Sequence, residues 1–380
     1  MATNHGPHRL VFGETGEAAA DDVDVAPALA PRREGDPRAA TRGTARRAPW
    51  AGLLFAALLL APGALSAGPP ERATADRVGP GPAADPGSRR AVALTFDDLP
   101  ATAVAGGDCD AATLLDLNRR LLAHLARFEA PATGLVTASR VCDELRGAVL
   151  PAALALWLDA GHDLGNHTFS HPDLDRTELE AYESDVIRGE APVRRLLAER
   201  GRALRYFRHP LLHTGADRAR KEAVDAFLAG RGYIVAPVTI DNQEWIFAAV
   251  YARAKQRGDG ETMRRVASAY LPFMEEVFAF FEGWSREVVG REIPQVLLLH
   301  ANELNADHLD ELLGMMRRRG YVFVTLDDAL RDEAYRSPDG YVGPRGLSWL
   351  HRWALARGME PRQEPREPEW LSELLREGRR

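Results

Sequence analysis

The chain has 380 residues, enough for one large domain or two smaller ones at ~100–200 residues per domain. Hydrophobic residues make up 45% and charged residues 27%, an ordinary globular balance that excludes a wholly disordered or fibrous protein. A net charge of −7 gives no reason to expect nucleic acid as a partner.

Residues 1–48 are rich in Ala, Gly, Pro, Arg and Asp without sustained apolar periodicity, and are expected to be a disordered N-terminal extension. Residues 49–67 follow a basic flank, Arg46 and Arg47, and carry an apolar run from Ala51 to Ala61 that ends in small residues up to Ala67. That pattern reads as a signal peptide, with an uncleaved membrane anchor over 50–67 as the alternative. The run is short for a spanning helix, which needs about 20 apolar residues. Export to the periplasm, the exterior or a membrane tether is the expectation. Residues 68–89 form a Pro/Gly-rich linker.

Regular structure is predicted from Arg90. Strand candidates are Ala91–Phe96, Thr133–Ala138, His162–Gly165, Tyr206–Arg208, Tyr233–Val238, Gln295–His300 and Tyr321–Thr325. Helix candidates lie between them, at Ala111–Phe128, Leu145–Ala160, Asp175–Arg200, Ala219–Ala229 and Ala306–Arg319. Such alternation implies parallel pairing and an α/β architecture. Residues 241–292 read as a helical insertion and 331–380 as a C-terminal extension whose tryptophans pack on the body. The two cysteines, Cys109 and Cys142, lack CxxC spacing. From composition alone, a disulfide and two unpaired buried thiols are equal alternatives. Their placement after the first two core strands would put both loops on one face, within reach of a bridge.

The suggestive polar residues fall at the C-terminal ends of the strands, where parallel α/β folds assemble their sites. Asp97 and Asp98 close the first strand. Two adjacent carboxylates there want a cation or a proton if both are buried. His167 and His171, four apart after another strand, are spaced to present two imidazoles to one metal. One Asp and two His leave open positions on a divalent ion, as in a catalytic rather than a structural site. Arg208 follows the fourth strand, and His300 ends a very apolar one. Each feature alone has a bland reading: a solvated turn, surface histidines, a loop arginine, a core histidine.

The ordered set resembles the polysaccharide deacetylase family, also called the NodB-homology or carbohydrate esterase family 4 group. The resemblance rests on Thr95–Asp98, His167–His171, Arg208–Pro210, Asp241–Trp245 and Leu297–His300, within a domain spanning 90–330. It implies an incomplete (β/α) barrel with parallel strands and outer helices. It further implies Asp98, His167 and His171 as metal ligands, Asp97 as general base, Arg208 as its partner and His300 as general acid. Pro210, Leu211, Asp241 and Trp245 would meet substrate or oxyanion, with a backbone N–H near Leu211 stabilising the latter.

The activity so implied is removal of acetyl groups from an N- or O-acetylated polysaccharide by water activated at a divalent metal. Zinc is the default, and cobalt, manganese or iron fit the same ligands. A metal-dependent amidase of a small non-sugar amide is the alternative. A non-catalytic carbohydrate-binding protein ranks below both, because Asp97 and His300 are both present. Leu211 stands where the family usually has an aromatic residue, and Glu244 where Asp is more usual. His209 and His213 are also atypical. The segment from Asp332 matches nothing with a catalytic role.

Overall fold

The computed structural model describes residues 90–378, and the segments read as extension, signal or anchor, and linker lie outside them. The strands are β1 (Arg90–Leu99), β2 (Ala132–Val136), β3 (Asp163–Asn166), β4 (Tyr206–Phe207), β5 (Ile234–Val235), β6 (Gln295–His300) and β7 (Tyr321–Val324). Among the described residues these form one seven-stranded sheet in the order β5-β4-β3-β2-β1-β6. Every pairing is parallel. Strand β7 joins β1 at Arg90–Ala93, ahead of the stretch from Leu94 that pairs β2. The sheet curls. Past β5 the chain reaches Ile240, which makes a parallel bridge to Leu297 of β6 and so carries the curl round from β4 towards β6. The result is an incomplete (β/α) barrel.

Helices α1 (Ala111–Arg127), α2 (Asp143–Asp159), α3 (Leu179–Ala198), α4 (Arg218–Gly230), α5 (Glu244–Arg257), α6 (Gly260–Val289) and α7 (Glu303–Arg318) surround it. The short α8 (Leu326–Ala329) follows β7, and α9 (Trp349–Ala356) and α10 (Glu369–Glu377) end the chain. Side chains written into the sequence start several helices. Asp110 accepts from the N–H groups of Ala112 and Thr113, Asp217 from Arg220, and Asn302 from Asn305. Each satisfies backbone donors that a helix start leaves orphaned. Helix α3 begins at Leu179, not Asp175. Asp173 instead accepts from the backbone N–H of Asp175 in the preceding turn, the local competition that keeps Asp out of helix interiors, and Asp175 accepts from the backbone N–H of the distant Ala216.

Strand β1 is buried from Val92 onward, as a strand covered on both faces must be. The residues 241–292 supply α5 and α6, the latter thirty residues long with Phe273, Phe278, Phe281 and Trp284 buried. Trp349 and Trp353 are buried in the same core, on the body. Cys109 and Cys142 are joined as a disulfide with Cα atoms 5.3 Å apart. It ties the loop before α1 to the residue that opens α2. Among the described residues, no helix is long and apolar enough to cross a membrane.

Candidate active site

The C-terminal ends of β1, β3, β4 and β6 converge, and they bring with them the residues singled out in the sequence. Thr95 fixes the end of β1 by donating to the carbonyl of Leu297 on β6 at 2.7 Å. In register with that pairing, Asp97 lies directly beside His300 on the neighbouring strand. Asp98 follows with φ 61° and His171 with φ 60°. A non-glycine residue held in the left-handed region costs about 1–3 kcal/mol and persists only where its surroundings over-determine it. Two such residues are two of the three proposed ligands.

Asp98, His167 and His171 each offer a ligand atom, and these atoms lie within 4.8 Å of one another. His167 Nδ1 sits 2.9 Å from the carbonyl oxygen of Arg208. That contact needs the proton on Nδ1, which leaves the Nε2 lone pair facing the carboxylates. Burial lowers His171 to about 3, so its imidazole is neutral near pH 7 and free to ligate. Burial opposes the charge of Asp98, but Arg140 at 3.0 Å from Oδ2, together with His171, His167 and His300, outweighs it and holds the carboxyl well below its usual range. Thr137 donates to the other oxygen at 3.0 Å. One carboxylate and two imidazoles form a donor set that fits a zinc-like divalent cation.

Asp97 is buried, and Arg208 donates to its Oδ1 at 2.6 Å. The guanidinium is itself completely buried. It also donates to Thr95 Oγ1 at 2.8 Å and to the carbonyls of Ala236 and Pro237. A charged fork so fully bonded is fixed in place, and one oxygen of Asp97 is fixed with it. The other, Oδ2, stands 3.6 Å from His167 Nε2. His300 Nδ1 lies 2.8 Å from Glu244 Oε2, and Asn305 donates to the second Glu244 oxygen at 2.6 Å, with Asn302 also donating there. Burial alone would lower His300. The hydrogen bond and charge of Glu244, followed by Asp98 and Asp97, reverse that and raise it to about 9.

Past β4, Leu211 and Leu212 both adopt left-handed conformations, with φ 57° and 55°. Leu212 and His213 donate their N–H groups to His209 and Pro210. Among the described residues, none accepts a hydrogen bond from the N–H of Leu211. Asp241 is pushed up to about 6 by burial, and its carboxylate accepts from the backbone of Asn242. Trp245 is half-buried and donates to Gln243 at 3.1 Å.

Arg140, Thr137 and Glu244 are missing from the residues chosen by sequence reasoning. Arg140 and Thr137 follow β2, so the strand-end rule that selected the others would have selected them. Glu244 was visible only as a departure from the fourth motif. His209 is buried, with Nδ1 3.1 Å from the hydroxyl of Tyr182, and His213 Nδ1 pairs with Asp173 at 2.8 Å. Neither belongs to the cluster around Asp98.

A family model described as polysaccharide deacetylase matches residues 84–225. The match takes in Asp97, Asp98, His167, His171 and Arg208, while Glu244 and His300 lie beyond it. Solved structures similar to this chain include a T48 deacetylase with substrate, at 21% identity, covering 66% of this chain and 94% of that one with a TM-score of 0.41. The peptidoglycan deacetylase PdaC from Bacillus subtilis is 20% identical, covering 65% and 93% with a TM-score of 0.40. A family 4 carbohydrate esterase from Bacillus anthracis is 20% identical, covering 64% and 83% with a TM-score of 0.39. Over residues 84–225, then, the chain is similar to the polysaccharide deacetylase family.

Proposed function

We propose that this protein is an exported, metal-dependent hydrolase that removes acetyl groups from an N- or O-acetylated polysaccharide. The observation that carries the reading is the clustering of Asp98, His167 and His171 between two buried pairs, Asp97 with Arg208 and His300 with Glu244. Asp98, His167 and His171 would hold a divalent cation, zinc by default. When bound, such an ion supplies Lewis acidity to an acyl carbonyl and acidifies a water.

The chain's own residues account for the proton movements. Asp97 is the general base: Arg208 occupies Oδ1, so Oδ2 is the oxygen left to take the proton of the attacking water. His300 is the general acid. Protonated at neutral pH through Glu244, it donates from Nε2 to the departing amine or alcohol. The N–H of Leu211 is the backbone donor available to the developing oxyanion. Asp241 and Trp245, on the segment that rounds from β5 to α5, are assigned to the substrate side. The domain is taken to run from 90 to 330, with 241–292 as its helical insertion, and 49–67 as the export segment.

The test is acetate release from a panel of acetylated glycans and small N-acetyl amides by purified protein, with chelator and after metal is restored. Chelator-sensitive release from a glycan is expected. Release confined to small amides would transfer the same machinery to the amidase reading, and no release from either would remove the enzymatic one.

A further inference from the structure

Residues beyond the last strand pack against the loop that follows β4. Arg352 on α9 is completely buried. Its guanidinium donates to the Leu212 carbonyl at 2.6 Å, Thr214 Oγ1 at 2.8 Å, Asp339 Oδ2 at 3.0 Å and the Leu347 carbonyl at 2.9 Å. Two of these partners belong to the loop and two to the C-terminal segment, so a single side chain ties the two together. The Gly343 N–H adds a bond to the Gly215 carbonyl at 3.3 Å, and the Trp349 N–H one to Val238 at 2.7 Å. Gly346 lies hard against Leu211. A Cβ at that position would stand 1.9 Å from the Leu211 carbonyl oxygen, although the glycine itself lies outside the left-handed region.

The loop held in this way needs holding. Leucine rarely adopts the left-handed conformation that Leu211 and Leu212 share, and two in succession persist only under outside constraint. Leu211 also carries the N–H left free to meet an oxyanion. We infer that residues 339–352 are a brace for the oxyanion loop, with Arg352 and Gly346 as positioning residues that act through Leu211 and touch no reacting atom. The inference rests on the deacetylase reading above. Donors of this kind act through fixed placement, so a small displacement is costly in rate while leaving ground-state binding alone.

The test compares the full-length wild type with Gly346→Ala and Arg352→Lys. In Gly346→Ala the new methyl must displace the Leu211 carbonyl, and kcat for acetate release should fall about tenfold or more with KM within about twofold. Affinity for a phosphonate mimic of the tetrahedral intermediate should fall in step with kcat, while metal content stays at the wild-type level. Arg352→Lys keeps the charge but cannot span the same partners, so it should lose part of the rate. In both variants, amide hydrogen exchange over 210–214 should quicken while β1 stays protected. Unchanged kcat in Gly346→Ala beside an active wild type would overturn the brace alone, as would a loss explained fully by missing metal or unfolded protein. A wild type that releases no acetate would overturn the deacetylase reading, and the brace with it.

Discussion

Replacing Glu244 with Gln tests the acid role of His300 through its pH dependence. Burial disfavours the imidazolium, and the Glu244 carboxylate at 2.8 Å is the main group that restores it, raising the imidazole from 6.5 to about 9. That displacement corresponds to about 3 kcal/mol of preference for the protonated form, at 1.36 kcal/mol per unit. A glutamine keeps the shape and the oxygen that receives Asn302 and Asn305, but presents no charge to Nδ1. Burial is then opposed only by Asp98 and Asp97, and the imidazole should fall back to about its ordinary value. The acid must be protonated to donate, so the activity it supports is present below its pKa and lost as pH rises through it. At pH 8 about 90% of a group titrating near 9 is protonated, against about 3% of one near 6.5, so the variant should be slower by roughly thirty-fold. At pH 6 the two should agree within about twofold. A cation held nearby lowers both values alike, so the separation between the alkaline limbs is the quantity to read. The assay is the profile of kcat/KM for acetate release from pH 5 to 10, for both proteins. An alkaline limb that does not move, or a loss equal at pH 6 and pH 8, would refute the assignment of His300 as acid and of Glu244 as the residue that charges it.

Replacing Asp98, His167 or His171 with Ala should abolish stoichiometric metal by elemental analysis while circular dichroism stays native; retained metal in all three variants would dismiss the ligand set. Asp97→Asn should keep its metal yet lose about two to four orders of magnitude in kcat, the usual contribution of a positioned base, and a loss below tenfold would argue for another base. Arg140 donates to the same Asp98 carboxylate proposed to hold the metal, so Arg140→Ala should bind zinc more tightly in chelator competition. Unchanged or weaker binding would show that the two do not compete. The Cys109–Cys142 bridge closes a separation of 33 residues, so reducing it should lower unfolding stability in urea by about 2–4 kcal/mol. A midpoint unmoved by reductant would count against that contribution.

Much of the site was legible because its residues sit in local patterns. Asp97 and Asp98 end an apolar run, His167 and His171 recur four apart after another, and Arg208 and His300 each close a strand. Strand ends on one face of a parallel barrel converge, so reading each strand separately was enough to collect the residues that meet. The alternation of short apolar runs with amphipathic stretches carried the fold for the same reason, since period and length are properties of neighbouring residues. What stayed hidden depends on contacts between distant parts of the chain. Glu244 is 56 residues from His300, and nothing local marks it as the carboxylate that charges the histidine. Arg140 meets Asp98 across 42 residues, a pairing decided by the order of strands in the sheet. Arg352 reaches Leu212 across 140, so a tail without a matching motif came to hold the loop after β4. The left-handed backbone at Leu211 was equally out of reach, because a leucine side chain ordinarily avoids it. The chain by itself determined which chemical groups stand at the strand ends. Which of them are neutral, which are charged and which are held rigid was decided only by packing, since burial and the approach of distant partners set those states.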